Sequence, residues 1–354
     1  MVGEGGHSAA SKGALFGLGA AALFGASTPL AKDLLGDIRP QLLAGLLYAG
    51  AAIALSLTLR WHRSPIEARL RRSDTPMLAA VTLSGGVVAP VLLLIGLERV
   101  TGIAGSLLLN LEAVATLALA LLVFGEHLDR RAVAGATAIV AAAAVLGLGG
   151  GESKADLVGV LCIAAACLCW AVDNNLTQRL SGRDPFAIVR VKAAVAGGVN
   201  LVLALALGAS VPAATAVVGA LVLGGAAYGI SVVLDAYALR WVGAARESAY
   251  FATAPLFGVA TAIIVLGESI TTAEAAAIAV MGAGVYLLVT ERHRHAHTHV
   301  PIEHDHRHRH DDGHHDHVHP DGGIVAEHSH PHEHVATTHN HPHVSDAHHR
   351  HDHG

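Results

Sequence analysis

The sequence predicts an all-α polytopic membrane protein: ten transmembrane helices in two inverted five-helix repeats, followed by a disordered C-terminal tail. Three observations carry that expectation. Hydrophobic residues make up 53% of the 354 and charged residues only 14%, against roughly 25% charged in a soluble domain. The apolar residues fall into ten stretches of spanning length before Thr290. Beyond that point the composition changes abruptly, with 23 of the 26 histidines in the last 64 residues.

A bilayer core takes about 20 apolar residues in a helix, because backbone groups there have no water to bond. The stretches are 13–31, 40–60, 76–98, 101–124, 131–149, 156–178, 186–208, 213–239, 244–266 and 271–290. Charges or turn formers separate them: Lys32-Asp33, Arg63 to Arg72, Glu98-Arg99, Glu126 to Arg131, Glu152 to Asp156, Ser181 to Pro185, Ser210 to Pro212, Arg240 to Gly243 and Glu268 to Thr272. The weakest divide is the third, where Glu98, Arg99 and the turn-prone Thr101-Gly102 stand alone. With the N-terminus in the cytoplasm, 17 basic residues fall inside and four (Lys32, Arg39, Arg99, Lys154) outside. The positive-inside rule therefore places both termini in the cytoplasm; a bacterial-type inner membrane is the expected location.

Charge excludes other classes. Residues 1–290 hold 18 Lys+Arg against 17 Asp+Glu, and the tail holds 5 against 11, so the net −5 divides as +1 and −6. No basic nucleic-acid surface can be assembled from this. Cys162, Cys167 and Cys169, all in one apolar run, make no disulfide framework. Cys162 and Cys169 share a helix face, which suits a soft-metal path or, far more simply, small apolar packing. There is no P-loop, nucleophile elbow or His-Glu-x-x-His helix, so neither an enzyme nor an ATP-driven pump is expected, and no cofactor is required.

The chain repeats itself. Leu122-Val123-Phe124-Gly125-Glu126 matches Ile264-Val265-Leu266-Gly267-Glu268, each before the last helix of its half; the same offset of 142 pairs Leu97 with Leu239 and Ser106 with Ser248. Leu30 to Gly36 matches Leu176 to Gly182 at an offset of 146, and Pro40 and Pro185 open the second stretch of each half. Five spans per half force opposite insertion of the two copies, with a site near the midplane between them. The expected division is 1–12 as a cytoplasmic start, 13–149 and 156–290 as the repeats, 150–155 as linker and 291–354 as tail.

With its two halves and the Gly-Glu before each final helix, the sequence resembles the EamA repeats of the drug/metabolite transporter superfamily over about residues 13–290. Pro255 matches a proline that often precedes the pair in that family, whereas Glu112-Ala113 stands in the first half. The resemblance implies a secondary carrier of a small solute, often an exporter, and not an identified substrate.

Polar residues inside spans mark pathways or pairs. Glu112 is expected near the middle of the fourth helix as a proton-coupling or substrate-amine carboxylate, or else in an ion pair. Arg190 and Lys192 of the seventh helix are its expected partners, with Lys192 facing inward and Arg190 free to snorkel. Asn110 is rotated about 200° from Glu112. Asp173, Asn174 and Asn175 cover most of the sixth helix's circumference and either bind substrate or pair with Arg190. Asp235 completes the candidates, an interfacial place being the simpler reading. Glu126 and Glu268 are expected to complement the dipole of the helix that follows each.

The tail alternates His with other residues: His293, His295, His297, His299; His304, His306, His308, His310; His314, His315, His317, His319; His328, His330, His332, His334. Lacking Cys, this donor set suits Zn²⁺, Ni²⁺, Co²⁺ or Cu²⁺, and its low hydrophobicity predicts disorder without metal. Expected partners are the lipid bilayer, a small-molecule substrate and transition-metal ions, with no nucleic acid; a homodimer stays open. Three functions compete: carriage of a small organic solute, divalent-metal efflux with the tail as collector or sensor, and a membrane-anchored metal buffer or sensor without transport. The first ranks ahead, because no histidine lies inside a span.

Overall fold

The computed structural model describes residues 4–58, 69–124, 130–148, 156–180, 183–242 and 250–289, and the tail segments 293–298, 303–308, 328–333 and 338–343. The helices are α1 (Glu4–Leu34), α2 (Pro40–Thr58), α3 (Thr75–Val81), α4 (Ala89–Leu97), α5 (Gly102–Leu108), α6 (Leu111–Phe124), α7 (Arg130–Leu148), α8 (Leu157–Thr177), α9 (Pro185–Ala206), α10 (Ala214–Gly224), α11 (Ser231–Val242), α12 (Ala254–Leu266) and α13 (Thr272–Val289). Two π-helical turns join neighbours into longer rods, Thr82–Val88 between α3 and α4 and Gly225–Ile230 between α10 and α11.

Eight helical stretches among the described residues are long and apolar enough to cross a membrane: Lys12–Leu34, Pro40–Thr58, Arg72–Leu97, Gly102–Leu119, Arg130–Gly147, Leu157–Thr177, Phe186–Ala206 and Ala214–Asp235. The ninth and tenth expected stretches enter as shorter apolar helices, Ala254–Leu266 and Thr272–Leu288. Residues 243–249, the start of the ninth, lie outside the described residues.

Local chemistry fixes the ends. Pro40 and Pro185 open α2 and α9, where a missing N–H costs nothing. The Asp184 carboxylate accepts the Phe186 and Ala187 amides at 2.9 and 3.3 Å. At the other end of the second half, Gly267 takes a φ of +65°, a left-handed turn that stops α12.

The fourth stretch departs from expectation. It is two pieces, α5 and α6, separated by a turn at Leu109-Asn110 where the Glu112 amide bonds the Leu109 carbonyl at 3.0 Å. Glu112 therefore sits in the first turn of α6, not mid-helix. A turn also stands at Ala252-Thr253, just before α12.

Packing interleaves the two parts of the chain. α1 lies against α11 and α12, while α8 lies against α4 and α6. α2 crosses α9, α7 crosses α13, α2 also meets the second π-turn and α9 the first. One apolar core, including Leu43, Leu94, Leu97, Ile103, Leu107, Ile139, Leu146 and Ile163, runs through both. Leu122 and Ile264, equivalent under the offset of 142, are each 80% exposed, as lipid-facing side chains should be. Glycines let backbones touch at the α2–α9 crossing: a Cβ on Gly45 would lie 2.8 Å from the Leu201 nitrogen, and one on Gly197 2.8 Å from the Ala49 nitrogen.

Four short tail segments are described, as two strand pairs. β1 (His293–Thr298) pairs antiparallel with β4 (Thr338–His343), and β2 (Glu303–His308) with β3 (His328–Glu333). The His-x-His period of two matches the alternation of a strand, so the histidines of each segment share one face. His299, His310, His314, His315, His317, His319 and His334 lie outside the described residues.

The crossing yields a graded expectation. Gly197→Leu should lower stability by about 1–3 kcal/mol or more through overpacking. Gly198→Leu, one position on and with nothing within 4 Å of its Cβ, should stay within about 0.5 kcal/mol. Thermal unfolding in detergent compares the two.

Candidate functional site

Polar residues gather where α2, the first π-turn, α6, α8 and α9 meet; Asp173 is buried, Glu112 and Lys192 are half-buried and Asn174 is exposed. Glu112 enters from the first turn of α6, where free amides and the positive helix end favour a carboxylate. Its Oε1 accepts the Asn174 Nδ2 at 2.8 Å. One residue earlier on α8, the buried Asp173 forms an ion pair with Lys192 of α9 and accepts the Thr177 hydroxyl at 3.2 Å. The side chains of Lys192 and Asp173 are 16% and 5% exposed, so water screens the pair little.

Sequence reasoning chose Lys192 as the inward-facing base, and inward it is, but its partner is Asp173 rather than Glu112. The reason is reach: Glu112 is already engaged by Asn174 at the α6 start. Arg190 is half-buried on α9, and among the described residues no hydrogen bond or ion pair joins it to Glu112 or Asp173. Asn175 is buried and braces α8, donating to the Ala171 carbonyl at 2.9 Å and the Thr116 carbonyl at 3.4 Å. Asn110 lies apart from this group, its amide donating to the Leu107 carbonyl at 3.1 Å and approaching the Met281 sulfur at 3.8 Å. Asp235 also stands apart, on α11; its Oδ1 is buried and lacks a hydrogen-bond partner among the described residues.

Several contributors were not singled out from sequence. The Gly85 carbonyl in the first π-turn accepts both the Tyr48 hydroxyl at 2.8 Å and the Trp170 Nε1 at 3.0 Å. The neighbouring Gly86 carbonyl accepts Asn200 Nδ2 at 3.3 Å, and Gln41 Nε2 donates to Asn200 Oδ1 at 2.7 Å. Tyr228, from the second π-turn, stacks on Tyr48 with ring centroids 5.6 Å apart, and Phe24 meets Tyr228 edge-on at 5.9 Å. Gly85 and Gly86 also make the space: a Cβ on Gly85 would overlap the Asp173 carboxylate, and one on Gly86 would lie 2.8 Å from Ala196 Cβ of α9. The signal available beforehand was the Gly-Gly doublet at 85–86, answered by Gly224-Gly225 in the corresponding stretch.

At one end of the bundle a second constellation closes the architecture. Glu268 Oε1 and Oε2 accept the Gly102 and Ile103 amides at 2.7 and 2.9 Å. Glu274 takes the Thr271 amide and the Thr101 hydroxyl, each at 2.9 Å. The expectation that Glu268 complements the helix after it is corrected: it caps α5, in the other half. Glu126 lies outside the described residues. Lys32 likewise serves a helix end, donating to the Leu97 carbonyl at 2.7 Å.

The chemistry assembled is two carboxylates against one ammonium, with amide and phenol donors around them and aromatic faces beside them. It contains neither a paired nucleophile and base nor a convergent ligand set; among the described residues no cluster of three or more His, Cys, Asp or Glu is placed to hold a metal ion. Such a centre offers charge and hydrogen-bonding groups rather than a reacting atom.

Comparison with known proteins agrees with that chemistry. Residues 11–148 and, separately, 157–290 match the EamA-like transporter family. An uncharacterized transporter of Methanothermobacter thermautotrophicus is 31% identical over 282 residues, covering 75% of this chain and 82% of that one. A solved crystal structure with 18% identity superposes with a TM-score of 0.58 over 78% of this chain and 98% of its own, a likeness of fold.

The ion pair predicts a paired mutational outcome. Lys192→Met should strand a buried carboxylate and cost about 3–5 kcal/mol. Adding Asp173→Asn should recover most of that loss, as read from thermal unfolding of the purified protein. Glu268→Ala should cost about 1–2 kcal/mol through loss of the α5 cap.

Proposed function

The chain belongs to the EamA-like transporter family and is an integral multi-pass membrane protein, and from that premise we propose that it is a gradient-driven exporter of a small organic solute. In this reading ten spans form two inverted halves that rock around the Glu112–Asn174–Asp173–Lys192 cluster. Both termini face the cytoplasm, and the membrane is the bacterial-type inner membrane.

One observation carries the proposal: the cluster holds one more carboxylate than ammonium and sits where the two halves cross. With Asp173 neutralised by Lys192, Glu112 is the group left for a substrate amine or a coupling proton. Symmetry supports the rocking mechanism. The contacts α1–α11 and α1–α12 answer α8–α4 and α8–α6, and the self-pairs α2–α9 and α7–α13 fall where a two-fold axis would pass. The turns at Leu109-Asn110 and Ala252-Thr253 interrupt the fourth stretch of each half, and the π-turns interrupt the third. Interrupted helices at matching positions are the usual place of a carrier's site.

A second reading, divalent-metal efflux with the tail as cytoplasmic collector, draws on the strand register. It sets histidine opposite histidine at six positions, from His293 with His343 to His308 with His328. Directly opposed residues bring their Cβ atoms within about 5 Å, a spacing suited to shared Zn²⁺, Ni²⁺, Co²⁺ or Cu²⁺.

Complementation of a deletion strain tests both. Cells lacking the protein should retain the exported solute; the full chain and a truncation after Thr290 should restore its release, and Glu112→Gln should not, although it reaches the membrane in normal amount. Full complementation by Glu112→Gln removes the proposed centre. Raised cellular metal in the deletion strain, relieved only by the chain with its tail, selects efflux of metal instead.

A further inference from the structure

The first π-turn carries an arrangement that the carrier reading does not require. Inside it the Ala89 amide donates to Ser84, five residues back. The Gly85 carbonyl, which an α-helix would give to Ala89, is thereby passed over. The next donor along the chain would come from Pro90, which has no N–H. Its bonds come instead from Tyr48 and Trp170.

Consider the alternative register, uninterrupted α-helix. Ala89 then bonds Gly85, and the carbonyl facing Pro90 four residues on is that of Gly86. A donor for that oxygen is already present: Asn200 Nδ2 at 3.3 Å, longer than the two bonds to Gly85 and held in place by Gln41. Pro90 thus leaves one carbonyl without a backbone donor in either register, and the protein supplies a side-chain donor for each. An unsatisfied carbonyl in the bilayer interior would be costly, so both registers are stabilised and intermediates between them are not.

We propose that the α3–α4 rod switches between a π and an α register, with Tyr48 and Trp170 as the positioning residues for the first and Asn200 for the second. One register step turns α3 against α4 by about 100° and shifts it about 1.5 Å. Gly85 leaves room for the Asp173 carboxylate and Gly86 for Ala196 of α9, so the step moves the wall behind the ion pair. Tyr48 belongs to α2, while Trp170 and Asn200 belong to α8 and α9; the register is therefore read by both halves.

The test uses the full-length protein labelled with 5-fluorotryptophan, in lipid nanodiscs, followed by fluorine NMR. Trp170 is one of three tryptophans, and its signal is the one absent from Trp170→Phe. The wild type should give two Trp170 signals, or one broadened by exchange. Pro90→Ala, which supplies a backbone N–H to Gly85 in the π register and to Gly86 in the α register, leaves the intrinsically commoner α register favoured and should collapse them to one. Tyr48→Phe and Asn200→Leu should move the populations in opposite directions by about fivefold, the worth of one hydrogen bond. Asn200→Ser serves in its place if the leucine variant does not elute as a folded species on size exclusion. A single sharp signal, unmoved by Pro90→Ala, overturns the proposal, and so do shifts of the same sign in the two donor variants. Simple destabilisation would alter the other two tryptophans as well and would not produce opposite signs. No substrate enters the measurement, so its result stands apart from that of the complementation assay.

Discussion

Everything polar in this protein answers to one constraint: within the bilayer, a backbone N–H or C=O that its own helix does not satisfy must find a partner elsewhere in the protein. The described spans contain four such places. The Gly85 and Gly86 carbonyls are met by Tyr48, Trp170 and Asn200. The amides opening α5 are met by Glu268, and the end of α4 by Lys32. The break before α6 brings Glu112 to a set of free amides. Of these bonds, those from Trp170 and Asn200 and those to Glu268 join one half to the other.

The electrostatics follow the same logic. A charge is tolerated in this interior where a partner and hydrogen bonds are provided. Asp173 has Lys192 and Thr177, and Glu112 has Asn174. Glycine does the enabling. Without side chains at 85 and 86, α8 and α9 come close enough to the π-turn for the ion pair to fit beside bare backbone. Elsewhere, at Gly45 and Gly197, the same absence serves only packing.

Hydropathy made the spans legible, because length and apolarity are properties of contiguous residues. The family relationship was equally visible, since Gly125-Glu126 and Gly267-Glu268 recur at a fixed offset. So was the inward face of Lys192. What sequence could not supply was partnership across space. Lys192 was paired with Glu112 on the strength of depth alone, whereas the choice between two carboxylates depends on the turn at Leu109-Asn110. That turn has no Pro and no Gly to announce it. A π-turn whose freed carbonyls are satisfied by an indole and a phenol is likewise a three-helix arrangement. Glu268 was rightly read as a helix-end carboxylate and wrongly assigned to its neighbour in sequence, because the helix it caps lies 166 residues earlier.

That last contact bears on biogenesis. Gly102 and Ile103 leave the ribosome long before Glu268 does, so the α5 entry must pass through synthesis with its amides unserved by their eventual partner. The amino-terminal half is consequently an unfinished object while the rest is being made. Completion of the chain, rather than insertion of the first five hydrophobic segments, is the event that locks that helix end into its final place.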